Sequence, residues 1–249
     1  MSDHFLTALP VYNEIEYVDE VLDAVSRYSN RILVIDDGST DGTRERVNQH
    51  ENVQVVRHEQ NRGYGAALKT AFQYAIEHGF KVLVTIDCDG QHEPLRIPQF
   101  VAACQSADIV SGSRYLQKFE GDTEPPFERM QVNKQVLAEL NRRLKLDLTD
   151  AFCGFKAYRV DAIKKLEITE DGYAMPLELW VQAVHHGLRI MELPIPLIYL
   201  DESRSFGGVL EKAAARLQYY HLVLDRSILA TRDGAEDILA GATCHQEPE

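Results

Sequence analysis

Short apolar runs, each ending in a polar, glycine-containing turn and leading into a helix-like segment, recur through the first half of the chain. FLTALP leads to a helical pattern near 15–28, and RILVIDD leads through GSTDG to one near 43–50. VQVVRHEQN leads through RGYG to one near 65–78, KVLVTID through CDGQHEP to one near 94–104, and ADIVSGSR closes the series. Runs so nearly free of polar residues suit strands buried on both faces. Their alternation with helices implies right-handed crossovers, and so predicts an α/β fold built on a mostly parallel sheet.

In such a sheet ligands bind outside the carboxyl ends of the strands. That edge comprises Pro10 to Glu14, Asp36 to Asp41, Asn61 to Gly65, Asp87 to His92 and Ser111 to Arg114. Its wealth of Asp and Gly suits a site for a nucleotide and a cation. The second half is less regular. QKFEGDTEPPF (117–127) reads as a mobile loop. A helix is expected over 128–145, AFCGFKAYRV reads as a strand, and PLELWVQAVHHG reads as a helix ending at Gly187. LRIMELPIPLIYL is strand material broken by Pro194 and Pro196. Leu210, Ala213, Leu217, Tyr220, Leu224 and Ile228 form a helical apolar stripe, read first as core packing and second as a face that could pair subunits in a homo-oligomer.

The 249 residues, 45% of them hydrophobic, suffice for one large domain, alone or with a small appendage. A formal net charge of −13 disfavours nucleic acid and any general attraction to anionic lipid. Residues 141–165 run against that trend, with seven Lys/Arg to three Asp, and offer either a local anion site or a solvated basic face. No apolar stretch is long enough to span a membrane, and the N-terminus lacks the pattern of a signal peptide. The four cysteines contain no CxxC pair, which fits reduced thiols and the cytoplasm.

Asp87 and Asp89, at spacing two beyond a buried strand, can point at one hard cation such as Mg²⁺ or Mn²⁺. An Asp-Gly turn capped by Asp89 explains the same residues. Spacing alone leaves both readings open, with Cys88 packing the other way. VIDDGSTDGT offers Asp36 or Asp37 to a base or ribose. NRGYGAALKTA is no dinucleotide fingerprint: Leu68 stands at the third glycine position, and the motif follows the third strand. Its glycine loop and Lys69 still suit a phosphate contact. His58, His92, His185 and His186 lack zinc spacing and read as surface or capping residues, His92 lying close to the Asp pair.

ALPVYNE, VIDDGSTDGT, NRGYGAALKTA, DCDGQHEP, GSRY and DAFCGFKAYR occur in this order. Together they resemble glycosyltransferase family 2 over about residues 5–210, and within it the polyprenyl-phosphate (dolichyl-phosphate) mannosyltransferase group. The resemblance implies a GT-A fold with a Rossmann-like central sheet. It implies one such domain over 1–231, with a nucleotide-binding half to about 115 and an acceptor half after it, followed by a polar, frayed tail at 232–249. By the same resemblance Pro10, Tyr12, Glu14 and Asp87 hold the nucleotide, and Asp37 contacts the base with help from Ile35 or Asp36. Asp87 and Asp89 form a DxD motif holding Mg²⁺ or Mn²⁺, with Gln91 beside it. Arg114, Arg129, Lys134 and Arg204 match basic positions near the diphosphate and acceptor, and Asp150 matches the acid facing the acceptor.

The chemistry so implied is inverting transfer of a hexose from a nucleoside-diphosphate sugar. Asp150 is the candidate general base for a hydroxyl acceptor. A lipid phosphate would instead need cationic partners, and would place the protein peripherally at a membrane surface. The acidic residues Glu120, Asp122, Glu124 and Glu128 repel an anionic acceptor, so a soluble hydroxyl compound is the alternative. A catalytically silent nucleotide-sugar-binding protein is the other alternative.

Overall fold

The computed structural model describes residues 4–200, 210 and 212–242. One seven-stranded sheet organises them, formed by β1 (Phe5–Val11), β2 (Ile32–Asp36), β3 (Val53–Arg57), β4 (Val82–Thr85), β5 (Ile109–Ser113), β6 (Lys156–Arg159) and β7 (Ile190–Pro194). Their order is β3-β2-β1-β4-β6-β5-β7. The β1–β2, β2–β3, β1–β4 and β5–β7 pairs are parallel, whereas β6 runs antiparallel to both β4 and β5. The rhythm of the first half is thus realised as a mostly parallel sheet.

Helices cover both faces. α1 (Val18–Ser26) and α4 (Ile97–Ala103) pack on one, while α3 (Tyr64–Glu77), α5 (Phe127–Leu144), α7 (Met175–His185) and α8 (Ala213–Ala242) pack on the other. The short helices α2 (Thr43–Val47) and α6 (Val160–Ile163) complete the set among the described residues. Strand residues divide between two cores by the two-residue period of a strand. Leu6, Ala8, Leu33, Ile35, Leu83, Ile109 and Tyr158 face the α3 side, and Leu9, Val11, Val34, Val84, Val110 and Ala157 face the α1 side. The continuous apolar runs follow from this burial on two faces. α1 shows the matching helical pattern, burying Val18, Val21, Leu22 and Val25 at spacings of three and four.

Two features of the sheet position the site. β1 is joined through α1 to β2 on one side, while the chain after β3 crosses back to place β4 on the other. The order of strands therefore reverses at β1, where a crevice opens at the carboxyl edge. The antiparallel β6 wedges between β4 and β5, with Lys156 in register with both Thr85 and Ser111. Residues 150–156 consequently arrive at the same edge as the carboxyl end of β4. Hydrophobic periodicity does not encode strand direction, so this reversal has no signature in the sequence.

Other expectations are adjusted. The 117–127 segment is pinned rather than mobile: Thr123 N donates to the Leu197 carbonyl (2.8 Å), Leu197 N to Asp122 (2.8 Å), and Tyr199 N to Thr123 Oγ1 (2.7 Å). β7 ends at Pro194, and its place at the sheet edge tolerates the missing N–H. Tyr220, Leu224 and Ile228 are buried in the core with α5 and α7, so the stripe offered for subunit pairing is taken up within the chain. α8 runs to Ala242. No helix among the described residues is long and apolar enough to cross a membrane.

Phe155, fully buried, stacks on Phe100 with ring centroids 4.1 Å apart, joining the start of β6 to α4. Phe155→Ala should lower the free energy of unfolding by about 3–5 kcal/mol, measured by urea titration with the slope of the transition unchanged.

Candidate functional site

A cleft of about 830 Å³ opens at the carboxyl edge where the strand order reverses. Pro10 to Tyr17 after β1, Asp37 and Asp41 after β2, Asn61, Gly63, Tyr64 and Ala67 around the start of α3, Asp87 to Asp89 after β4, and Gly172 and Tyr173 line it. Six of these are carboxylates (Glu14, Glu16, Asp37, Asp41, Asp87 and Asp89), and no Lys or Arg is among the described lining residues. The volume suits a nucleotide-sized ligand.

Asp37, 3% exposed, fastens the end of β2 to the glycine loop. Its carboxylate accepts from the backbone N–H of Arg62 (3.0 Å) and Gly63 (2.8 Å) and from His58 Nδ1 (2.5 Å). His58, expected at the surface, is buried and reaches Thr70 Oγ1 through its other nitrogen (2.9 Å). Asp36 plays a separate part, accepting from Ser39 N (2.9 Å) and Arg44 Nε (3.0 Å). Asp41 accepts from Ile15 N and from the amide and hydroxyl of Thr43, which tie the β1 and β2 loops together.

Asp87 sits at the centre. Tyr64 donates to its Oδ1 (3.1 Å), and His92 Nε2 lies 3.5 Å from its Oδ2. A Cβ at Gly154 would fall 2.0 Å from that carboxylate, so any side chain there would displace Asp87. Burial pushes the Asp87 carboxyl up, but the His92 and Tyr64 hydrogen bonds and the charge of Lys156 outweigh it and hold the group below the usual carboxylate range. The side chain keeps 28% exposure, through the cleft. Asp89 Oδ1 accepts from Gln91 N (3.0 Å) in the turn that the sequence also allowed. The turn and an outward-facing carboxylate pair coexist. Cys88 packs in the core between α1 and α4.

Beside the cleft Arg114 and Asp150 form a two-pronged pair, with Nε donating at 2.7 Å and Nη2 at 3.0 Å. Asp150, 2% exposed, also accepts from the N–H of Arg114 (3.3 Å) and Phe152 (3.1 Å). Burial raises its carboxyl, but the Arg114 charge and hydrogen bonds prevail and lower it overall, and the same pairing raises Arg114. Glu192 of β7 supports the loop from beneath, accepting from Thr149 N (2.8 Å), Thr149 Oγ1 (2.9 Å) and Asp150 N (2.9 Å). Lys156, 3% exposed, donates to the Cys153 carbonyl and lies 5.5 Å from the Trp180 ring.

The cleft therefore gathers Pro10, Tyr12, Glu14, Asp37, Asp87 and Asp89, which the sequence singled out. Ile35 must be removed from that group: its side chain is fully buried in the α3-side core and presents no surface to a ligand. Gln91, Arg114 and Asp150 adjoin the cleft without lining it. Arg129 donates to Tyr199 (2.9 Å), Lys134 is exposed on α5, and Arg204 lies outside the described residues. The motifs single out neither Tyr173 nor Lys156, and reach Tyr64 only as part of the Asn61 to Gly65 edge. A lysine inside the apolar strand FKAY was the one available signal, and it was absorbed into a basic run. Within that run Arg143 pairs with Glu139 and Asp225, Lys164 pairs with Asp161, and Lys156 is buried.

A mixed sheet whose strand ends gather a nucleotide-sized acidic cleft around paired aspartates has the architecture of the GT-A fold. The fold matches the crystal structure of glucosyl-3-phosphoglycerate synthase from Mycobacterium tuberculosis in complex with Mn²⁺, UDP and glucosyl-3-phosphoglycerate, with a TM-score of 0.69 at 19% identity, covering 90% of this chain and 80% of that one. Residues 7–167 match the family model of glycosyl transferase family 2, and the chain belongs to that family. It is 32% identical over 230 residues to an undecaprenyl-phosphate mannosyltransferase of Micrococcus luteus, covering 87% of this chain and 93% of that protein. It is 30% identical over 203 residues to a polyprenol monophosphomannose synthase of Mycolicibacterium smegmatis, covering 76% of each.

The Arg114–Asp150 pair carries a pH signature. Because the folded value of Asp150 is depressed, its stabilisation is present above the ordinary carboxylate value of about 4 and is lost as pH falls through the folded value. Asp150→Asn should cost about 3 kcal/mol at pH 7. The gap from wild type should narrow steadily below about pH 4, as followed by denaturant unfolding across the acid range.

Proposed function

We propose that this chain is an inverting, metal-dependent transferase that moves a hexose from a nucleoside-diphosphate sugar to a polyprenyl-type phosphate. The observation that carries the donor half is the charge of the cleft. A diphosphate cannot approach six carboxylates with no lining Lys or Arg among the described residues unless a cation joins it. The residues fit Mg²⁺ or Mn²⁺: Asp87 is held ionised and open to the cleft, Asp89 stands beside it, and both offer hard oxygen. Two carboxylates leave coordination positions for phosphate oxygens. Among the described residues no cluster of three or more Asp, Glu, His or Cys side chains closes a cage. When bound, the ion would neutralise charge gathering on the departing diphosphate. The M. tuberculosis structure of the same fold, with Mn²⁺ and UDP, supports this reading.

The acceptor half rests on Asp150. Buried and engaged by four donors, it is poorly placed to take a proton from a hydroxyl. We assign it instead the task of aiming the Arg114 guanidinium. A phosphate is already ionised at neutral pH and needs no base, only cationic partners. Arg114 is the first of these, with Arg129, Lys134 and Arg204 as further candidates and Gln91 beside the cation. The printed names of the M. luteus and M. smegmatis relatives specify polyprenyl-type phosphates and mannose, which supports that acceptor class and a place at the membrane surface.

Transfer from GDP-mannose and UDP-glucose should be assayed with a short polyprenyl phosphate and with the matching alcohol. Turnover is expected on the phosphate alone, and turnover on the alcohol alone would refute the acceptor assignment. Asp89→Asn should lower kcat by about 100-fold or more while the protein stays folded. Where any hydroxyl compound accepts, Asp150→Asn should reduce transfer to it and to the phosphate by similar factors. A loss confined to the hydroxyl would restore Asp150 as general base.

A further inference from the structure

One wall of the cleft comes from a segment that no motif singled out, Thr169 to Tyr173. Gly172 and Tyr173 line the cleft, and the Tyr173 ring lies 6.1 Å from that of Tyr64, within 15° of parallel. Tyr64 is the residue whose hydroxyl holds Asp87. The segment also presses on the start of α3. A Cβ on Gly63 would stand 2.4 Å from the Asp171 carbonyl oxygen, and one on Gly65 would stand 2.4 Å from that of Glu170. Ala66 N donates to the Asp171 carbonyl (3.1 Å), and Lys69 pairs with the Asp171 carboxylate (2.5 Å). Glycine in the motif NRGYG is thus required by contact with this wall as much as by any ligand.

The wall is held from outside the cleft. Glu170, 8% exposed, accepts from Gly172 N (2.9 Å), from the Tyr219 hydroxyl and from Arg226 Nη2 (2.9 Å), the last two on α8. A Cβ at Gly172 would meet the Tyr219 hydroxyl at 2.6 Å. Glu178 of α7 fixes the other end through Thr169 N (3.0 Å), Thr169 Oγ1 (2.9 Å) and Glu170 N (2.7 Å). No described residue of α8 lines the cleft.

We propose that Glu170 is a positioning residue for the donor. By fastening Thr169–Tyr173 to α8 through Tyr219 and Arg226, it sets Tyr173 as a cleft wall and seats the glycine loop that Asp37 grips. Affinity for a nucleoside diphosphate then depends on the docking of α8, a helix that never touches it. A carboxylate is required because three donors converge on it, and the amide of glutamine would turn an N–H₂ toward one of them. The inference rests on the reading of this cleft as a nucleotide site.

The test compares wild type, Glu170→Gln and Tyr219→Phe by amide hydrogen exchange, by titration of UDP and GDP with Mg²⁺, and by the acceptor KM. Leu222→Ala, on the exposed side of α8, serves as control. For Glu170→Gln, exchange at Ala66 and through 62–67 should rise about tenfold, nucleotide Kd should rise about tenfold, and acceptor KM should stay within twofold. Tyr219→Phe should move the same quantities less, and Leu222→Ala should leave them unchanged. A uniform rise in exchange across the protein, with nucleotide Kd unaltered, would reduce Glu170 to a structural residue and overturn the proposal. Unchanged exchange at 62–67 would overturn it whether or not nucleotide binds. A wild-type protein that binds neither nucleotide with Mg²⁺ would refute the nucleotide reading and, with it, the affinity claim.

Discussion

Repulsion among carboxylates is the constraint around which the carboxyl edge of this sheet is arranged. Asp37, Asp41, Asp87 and Asp89 converge there with Glu14 and Glu16, in a place where water is partly excluded. Like charges lining one cleft favour protonation unless they are compensated. The fold compensates them by separate means. Asp37 receives two backbone N–H groups and a histidine, Asp41 receives the turn that follows it, and Asp87 receives Tyr64 and His92. A divalent ion with its phosphate ligands, as proposed for this cleft, would add positive charge where these acids face it.

The antiparallel β6 makes this possible. Because it enters between β4 and β5 from the carboxyl edge, its first residues stand beside Asp87. Gly154 leaves room for the carboxylate, and Lys156 adds a buried positive charge nearby. Burial pushes the Lys156 ammonium down, despite the nearby thiol and carboxylates. The same approach brings Asp150 under Arg114, so one short strand serves both the cleft and the Arg114–Asp150 pair. Burial pushes the Cys104 and Cys153 thiols up to about 12, which keeps both protonated.

The sequence displayed the first five strands and the helices between them plainly, because burial on two faces leaves an uninterrupted apolar signature. It displayed the cleft's acids for a related reason: strand ends in such a sheet are where ligands bind, and Asp87 and Asp89 could be located by counting from an apolar run. The direction of β6, the burial of His58 and the pairing of Asp150 were hidden. Each depends on which distant segment lies alongside, and periodicity carries no such information. Ile35 shows the same limit from the other side, since it lies within β2 and is buried in the core, while Asp37, just past the strand's end, reaches the cleft. Tyr173 and Glu170 belong to no motif, although the backbone of Glu170 and Asp171 leaves its imprint as the glycines at 63 and 65.

The central claim is that a cation completes an otherwise repulsive nucleotide site. Calorimetric titration of UDP and GDP, with millimolar Mg²⁺ or Mn²⁺ and again with the metal chelated, addresses it directly. The account predicts saturable binding of at least one nucleotide with metal, and a loss of affinity of about 100-fold or more without it. Binding of equal strength with and without the divalent ion would contradict it.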